Sequence, residues 1–229
     1  MIHTSDFLAD ILEAQNTLCH HGIKGQKWGV RRYQNPDGSL TEEGHRHVAI
    51  KSSRKSPDEI HKQVSSLNQK LNNFNYGAMV DGKVYTDMSK VPWNKYKTMT
   101  KEQMDKYKVG ICWDFVNYQH EYFKENGIPH KSYMFVKQQS DGPNDIVTHT
   151  FNVVSNGDKQ QWFESSWIKH QGIHDVKSYK DVVSELDKAY GNKTQPFDVY
   201  EYNPDGMMGI KNGEMFRRAT SSDPIYQRT

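Results

Sequence analysis

The tetrapeptide Ser155-Asn156-Gly157-Asp158 constrains the fold of this chain more than any other short segment. An Asn-Gly step between two runs of strand-forming residues asks for a tight hairpin, because both central positions of a type I′ turn need φ > 0 and these residues tolerate it. Ile146 to Val154 before it and Gln160 to Glu164 after it read as antiparallel strands. With Asn156 and Gly157 as the turn, Ser155 faces Asp158, and counting back along both strands sets His149 directly opposite Glu164. Directly opposed side chains on one face have Cβ atoms about 4.5–5.5 Å apart, within reach of a carboxylate–imidazole hydrogen bond.

The elements around the hairpin are readable from caps and periodicity. Ser56-Pro57-Asp58-Glu59 supplies an N-cap, a first-turn proline and a capping-box acid ahead of Ile60, Val64, Leu67 and Leu71 on one helical face. Thr100 with Gln103 predicts a second capped helix to about Lys108, and Cys112, Phe115, Val116, Tyr122 and Phe123 share one side of a third that stops at Gly127. Ser132 to Lys137 predicts a strand, Ser178 caps a helix that ends at Gly191, and Pro196 to Tyr202 predicts a last strand. Thr4, Ser5 and Asp6 lead a short amphipathic helix over 4–14. A helix, an antiparallel sheet, then helix and strand is an α+β arrangement.

Composition decides where a core can form. Apolar residues make up only 34% of the 229 residues, but 12% are aromatic, and each aromatic side chain buries about 150–250 Å². They concentrate between residues 110 and 190. The domain reading is therefore an N-terminal helix and basic segment at 1–55, a folded domain at 56–205 and a polar tail at 206–229. Lys and Arg number 30 against 28 Asp and Glu, which argues against a dedicated nucleic-acid coat or a polybasic membrane binder. No stretch approaches the about 18 apolar residues of a membrane span, and no signal peptide is evident. Cys19 and Cys112 do not make a disulfide framework.

The face carrying His149 also carries Val147, Phe151 and Val153, and that of Glu164 carries Trp162, so it should be packed. The helix that begins at Cys112 is the expected cover. A thiol, an imidazole and a carboxylate would then meet at a helix–sheet seam. A helix N-terminus and a neighbouring imidazolium lower a thiol pKa from about 8.5. His149 would take and return the proton, Glu164 would fix its tautomer, and first-turn N–H groups would help bind an oxyanion. Asp114 and Asn117 are expected to support local hydrogen bonding.

The order GICWDF, HTFNVV, WFESSW resembles the transglutaminase-like superfamily of cysteine enzymes. The resemblance spans roughly residues 90–190 and implies a papain-like α+β core whose Cys-bearing helix packs on an antiparallel sheet. It implies Cys112 as nucleophile, His149 as general base and acid, and Glu164 where the family usually has Asp. It also implies an upstream aromatic or amide side chain near the oxyanion, for which Trp93 and Asn94 are the candidates. The family forms a thioester from an amide in a protein or peptide and needs no cofactor. Peptidase, deamidase and transglutaminase chemistries all remain open, as does a non-catalytic virion or host-interaction module on the same fold.

Residues 20–33 interleave Lys24, Lys27, Arg31 and Arg32 with Trp28 and Tyr33, and residues 20–55 hold eight Lys and Arg against three acids. Cations beside aromatic platforms suit nucleic acid or an acidic protein surface, although a solvated loop with two aromatic anchors is the favoured reading. The segment HHGIKGQKWGVRRY, continuing through YQNPDGSLTEEG, closely resembles a sequence that recurs in tailed phages and prophage elements of Gram-positive bacteria. That resemblance implies a docking or packaging element, phage-particle components as partners, and residence in the bacterial cytoplasm and the virion. Cys19, His20, His21, His45 and His47 lack standard zinc spacing, so no metal site is expected.

Overall fold

The computed structural model describes residues 35, 39, 41–44, 55–140, 145–191 and 194–228. The chain divides into two compact units, Met1–Arg54 and Lys55–Thr229. In the first, the Asn35 backbone N–H donates to the Ser39 carbonyl at 2.7 Å. The helix expected over 4–14 and the docking candidates Lys24, Lys27, Trp28, Arg31 and Arg32 lie outside the described residues.

The second unit is mixed α+β around an antiparallel sheet of six strands. It opens with α1 (Pro57–Leu71), whose N-cap Ser56 and N3 Glu59 form the expected capping box. Ile60, Val64, Leu67 and Leu71 are the buried stripe, each contributing about 1.5–3 kcal/mol through burial. Short strands β1 (Asn75–Tyr76), β2 (Ala78–Val80) and β3 (Lys83–Tyr85) follow. β2 and β3 join through Asp81 and Gly82, both at positive φ, which is the type I′ preference again. Then come α2 (Lys101–Tyr107), β4 (Val109–Gly110), α3 (Cys112–Glu125), β5 (His130–Gln138), β6 (Ile146–Asn156), β7 (Lys159–Glu164), β8 (Gly172–Val176), α4 (Tyr179–Ala189), β9 (Phe197–Tyr202), α5 (Asn212–Ala219) and β10 (Tyr226–Arg228).

The sheet order is β10-β9-β5-β6-β7-β8. Both of its faces are covered. On one, Val154 and Phe163 pack with Phe115, Tyr118 and Phe123 of α3 and the stripe of α1. On the other, Phe151, Val153 and Trp162 pack with Val182, Val183 and Leu186 of α4. Among the described residues no helix is long and apolar enough to cross a membrane.

Two expectations are corrected here. Residues 206–229 are not a polar tail: Met215 and Ala219 of α5 are buried, and β10 extends the sheet beside β9. Arg228 binds Asp187 through two nitrogens at 2.6 and 2.8 Å. Few apolar residues suffice there because the last strand is held by ladder bonds and this ion pair. The hairpin register also differs. Asn156 pairs with Lys159, so Gly157 and Asp158 are the turn, with only Gly157 at positive φ. Asn156 stays in the strand, which a Gly-first turn of type II′ permits.

Candidate functional site

The shift of the turn moves the register by two residues, so the side-chain faces are preserved. His149 and Glu164 still share a face but are diagonal neighbours instead of directly opposed. His149 Nε2 lies 2.8 Å from Glu164 Oε2, and both residues are buried. The other carboxylate oxygen accepts from the Ser166 N–H, the Ser166 hydroxyl and the Trp167 N–H at 2.7, 2.7 and 2.9 Å. Burial alone would raise the Glu164 carboxyl, yet His149 and these donors hold it below the ordinary glutamate value. With Nε2 committed to the carboxylate, Nδ1 is the ring nitrogen left to act as a base. It makes no hydrogen bond among the described residues.

Cys112 reaches the same strand from the other face, which corrects the expected packing. α4, not α3, covers the face shared by His149, Phe151 and Val153. Because β6 is buried on both sides, its alternation does not say which helix lies where. α3 is set against the reverse face by a chain of amides. Asn152 Nδ2 donates to the Val116 carbonyl at 3.2 Å and to Gln119 Oε1 at 2.9 Å. Asn152 Oδ1 accepts from the Ser132 hydroxyl at 2.6 Å, and Gln119 Nε2 donates to the Ser165 hydroxyl at 2.9 Å. One helical turn before Val116, this alignment brings Cys112 to Thr150, the residue after His149. The Thr150 N–H and hydroxyl both favour the thiolate, although the buried Thr150 hydroxyl makes no hydrogen bond to the protonated thiol at rest.

The thiol is not activated in the way its helix-start position predicts. Cys112 is 5% exposed, and burial, reinforced by the Glu164 and Asp114 charges and opposed by Thr150, pushes its pKa up to about 11. Desolvation outweighs the partial charge of a helix N-terminus here. Asp114, the N3 residue of α3, accepts from the Tyr96 hydroxyl at 2.5 Å, Met99 N–H at 2.7 Å and Ile111 N–H at 3.0 Å. Burial nevertheless raises it to about 6. Asn117 donates to the Met207 carbonyl at 3.2 Å. Both serve local hydrogen bonding, as expected.

Trp93 is 40% exposed and meets Tyr96 edge-on at 5.5 Å, and Asn94 is exposed. Neither donates a hydrogen bond toward Cys112. Two tyrosines that sequence reasoning missed lie closer electrically. Tyr76 is 37% exposed as a residue, but the protein around its phenol and the charges of Cys112, Tyr190, Asp114 and Glu164 raise it. The Tyr190 phenol is likewise raised by burial, Cys112 and Glu164. Neither carries a motif, because each reaches the site from an element end, β1 and α4. Tyr76 lines a cleft of about 610 Å³ with Ser166, Trp167, Ile168, His170 and Lys188. Trp167 meets the His149 ring edge-on at 6.2 Å, so this cleft is one ring away from the His–Glu pair.

Residues 1–35 match a family of unknown function (DUF7211). No curated protein matches the chain.

Proposed function

We propose that this chain is a cysteine-dependent acyl-transfer enzyme with a papain-like, transglutaminase-like core. It acts on an amide in a protein or peptide. Cys112 is the nucleophile, His149 the base and acid, and Glu164 the orienting carboxylate. The observation that carries this reading is the buried His149–Glu164 pair at 2.8 Å, built next to Thr150, the residue that acts on Cys112.

Since burial keeps the resting thiol protonated, the reaction begins from the neutral pair, with no standing ion pair. The S–H proton passes to His149 Nδ1 as Sγ bonds to the amide carbon and the carbonyl electrons move onto oxygen, a transfer that requires His149 to turn toward the thiol from the opposite face of β6. The first-turn N–H groups of α3, which lack intrahelical acceptors, suit that oxyanion. Collapse breaks the C–N bond, the leaving amine takes the proton from His149, and a thioester remains. Water or a second amine then releases the acyl group. Glu164 balances the imidazolium that forms between these steps. The test is labelling by a small thiol-directed electrophile in a chain that lacks Cys19. Labelling of Cys112, the one thiol left, should be strongly slowed in His149→Ala with the fold intact, and labelling at the native rate in that variant would exclude the assignment.

A second reading has its own support, in the 5% exposure of Cys112 and its raised thiol. In it the domain is a non-catalytic binding module of a phage particle, and residues 20–45 dock it to particle components. Deleting residues 19–47 would then abolish the biological effect, while Cys112→Ala would leave it unchanged.

A further inference from the structure

Two histidines outside the Cys112 site are joined in one chain of hydrogen bonds. His130, at the start of β5, sets Nδ1 2.8 Å from the Ile128 carbonyl and Nε2 2.8 Å from His120 Nδ1. His120, on α3 and 8% exposed, sets its Nε2 3.0 Å from Asp205 Oδ1. The two ends of this chain can only accept. One is a peptide carbonyl. The other is a carboxylate that Lys124, His120 and Asn203 hold well below the usual aspartate range. A hydrogen is therefore required on each outer ring nitrogen, and one more between the rings. That makes three protons on two imidazoles, which hold two when neutral. With two protons, one of the three contacts becomes a clash of lone pairs. With four, both nitrogens of the ring–ring contact carry hydrogens and repel.

We propose that His120 and His130 form a proton-binding site that takes one shared proton, and that this proton clasps the turn around Asp205 to α3. The turn is continuous with the packing around Cys112. The Met207 carbonyl accepts from the Thr98 hydroxyl at 2.6 Å and from Asn117 on α3, and Met207 belongs to the apolar cluster that contains Cys112. The charged groups facing the pair are Lys124 and Glu121 from α3 and Asp205 from the turn. On the neighbouring strands, Lys131 of β5 and Glu201 of β9 pair with each other at 3.1 Å. Burial and the His120 charge push the His130 imidazole down, against the Ile128 carbonyl, in keeping with one charge on the pair. A divalent cation fits less well, because the Lys124 ammonium already lies 2.5 Å from Asp205.

Nitrogen NMR of the histidine rings in the full chain, followed from about pH 5 to 9, tests this across the range where imidazoles titrate. The expected result is one proton in excess of two neutral rings near neutral pH, lost and gained in two coupled steps. Asp205→Asn should shift the loss of the shared proton to lower pH by about one unit. The stability difference between the native chain and His130→Gln should peak where the pair is singly charged and shrink on either side. Independent titration of two neutral rings would overturn the proposal, and if the variants fail to fold the NMR on the native chain still decides. Stoichiometric binding of zinc chloride at neutral pH, with a raised melting temperature, would also overturn it by making the cluster a metal site.

Discussion

His149 and Glu164 meet at 2.8 Å across two strands whose register does not set them opposite one another. The bond is diagonal, and it survives because the two-residue shift of the hairpin leaves every side chain on its face. Glu164 then accepts three further bonds from the chain that follows it, so the carboxylate also shapes the departure of β7. The same group that orients the histidine thus holds the turn bordering the cleft.

Glu164→Gln should therefore cost about 2 kcal/mol, in the range for losing buried hydrogen bonds to a charged group. Glu164→Ala should cost more. In the native chain the folded carboxyl lies below its ordinary value, so its stabilisation is present above the unfolded value of about 4.3 and is lost as pH falls through the folded pKa. Denaturant unfolding between neutral and acid pH measures both, and the acid loss should be smaller in the Gln variant.

Cys112 should alkylate slowly at neutral pH and gain rate up to about pH 11. Its raised pKa also makes stability fall as pH climbs from about 8.5, where the unfolded thiol ionises, through the folded value. Cys112→Ser removes that alkaline loss. Alkylation rates and unfolding curves over the same pH range provide the check.

Thr150→Val deletes the hydroxyl that favours the thiolate and keeps the strand-forming shape. Alkylation of Cys112 should slow by about tenfold, equivalent to one pKa unit, whereas Thr150→Ser should retain the native rate. Equal rates in all three proteins would show that only the Thr150 N–H acts.

Gly157→Ala should destabilise by about 1 kcal/mol, the penalty for a Cβ in the left-handed region. Gly157 has φ 66°, and an added Cβ would come within 3.3 Å of Pro57 Cγ. Thermal unfolding reads the loss, and Asn156→Ala should be milder, because Asn156 is a strand residue.

Truncation after Asp205 should cost more than about 3 kcal/mol. It removes Arg228 from Asp187, the carboxylate that also pairs with Lys137 at 2.8 Å. The Lys137 side chain has no exposure at all. Loss of cooperative unfolding in the truncated chain, restored by the full length, is the expected outcome.

Much of this was legible before the structure. N-caps at Ser56, Thr100 and Ser178 mark helix starts that the structure confirms, because a cap is a local hydrogen bond between residues two or three apart. The strands 130–138, 146–156 and 159–164 extend the expected ones by one to three residues, and 197–202 is one residue shorter than expected. β8, with the sequence Gly-Ile-His-Asp-Val, was not legible: its apolar content is low, and Trp162 and Phe163 of β7 supply the pairing partners. Tyr76 and Tyr190 were missed for a related reason, since nothing local distinguishes a tyrosine near a thiol from one on the surface.

The sequence by itself determined the α+β order, the helix starts, and the parity that sets His149 and Glu164 on one face. These depend on neighbours within a few residues or on a period of two. Tertiary structure alone decided which helix covers that face, that Cys112 meets the strand at Thr150, and that its thiol is raised instead of lowered. A strand buried on both sides offers each face equally to a helix. Only packing between distant segments, here the Asn152–Gln119 amide chain, chooses between them and fixes how much water the thiol retains.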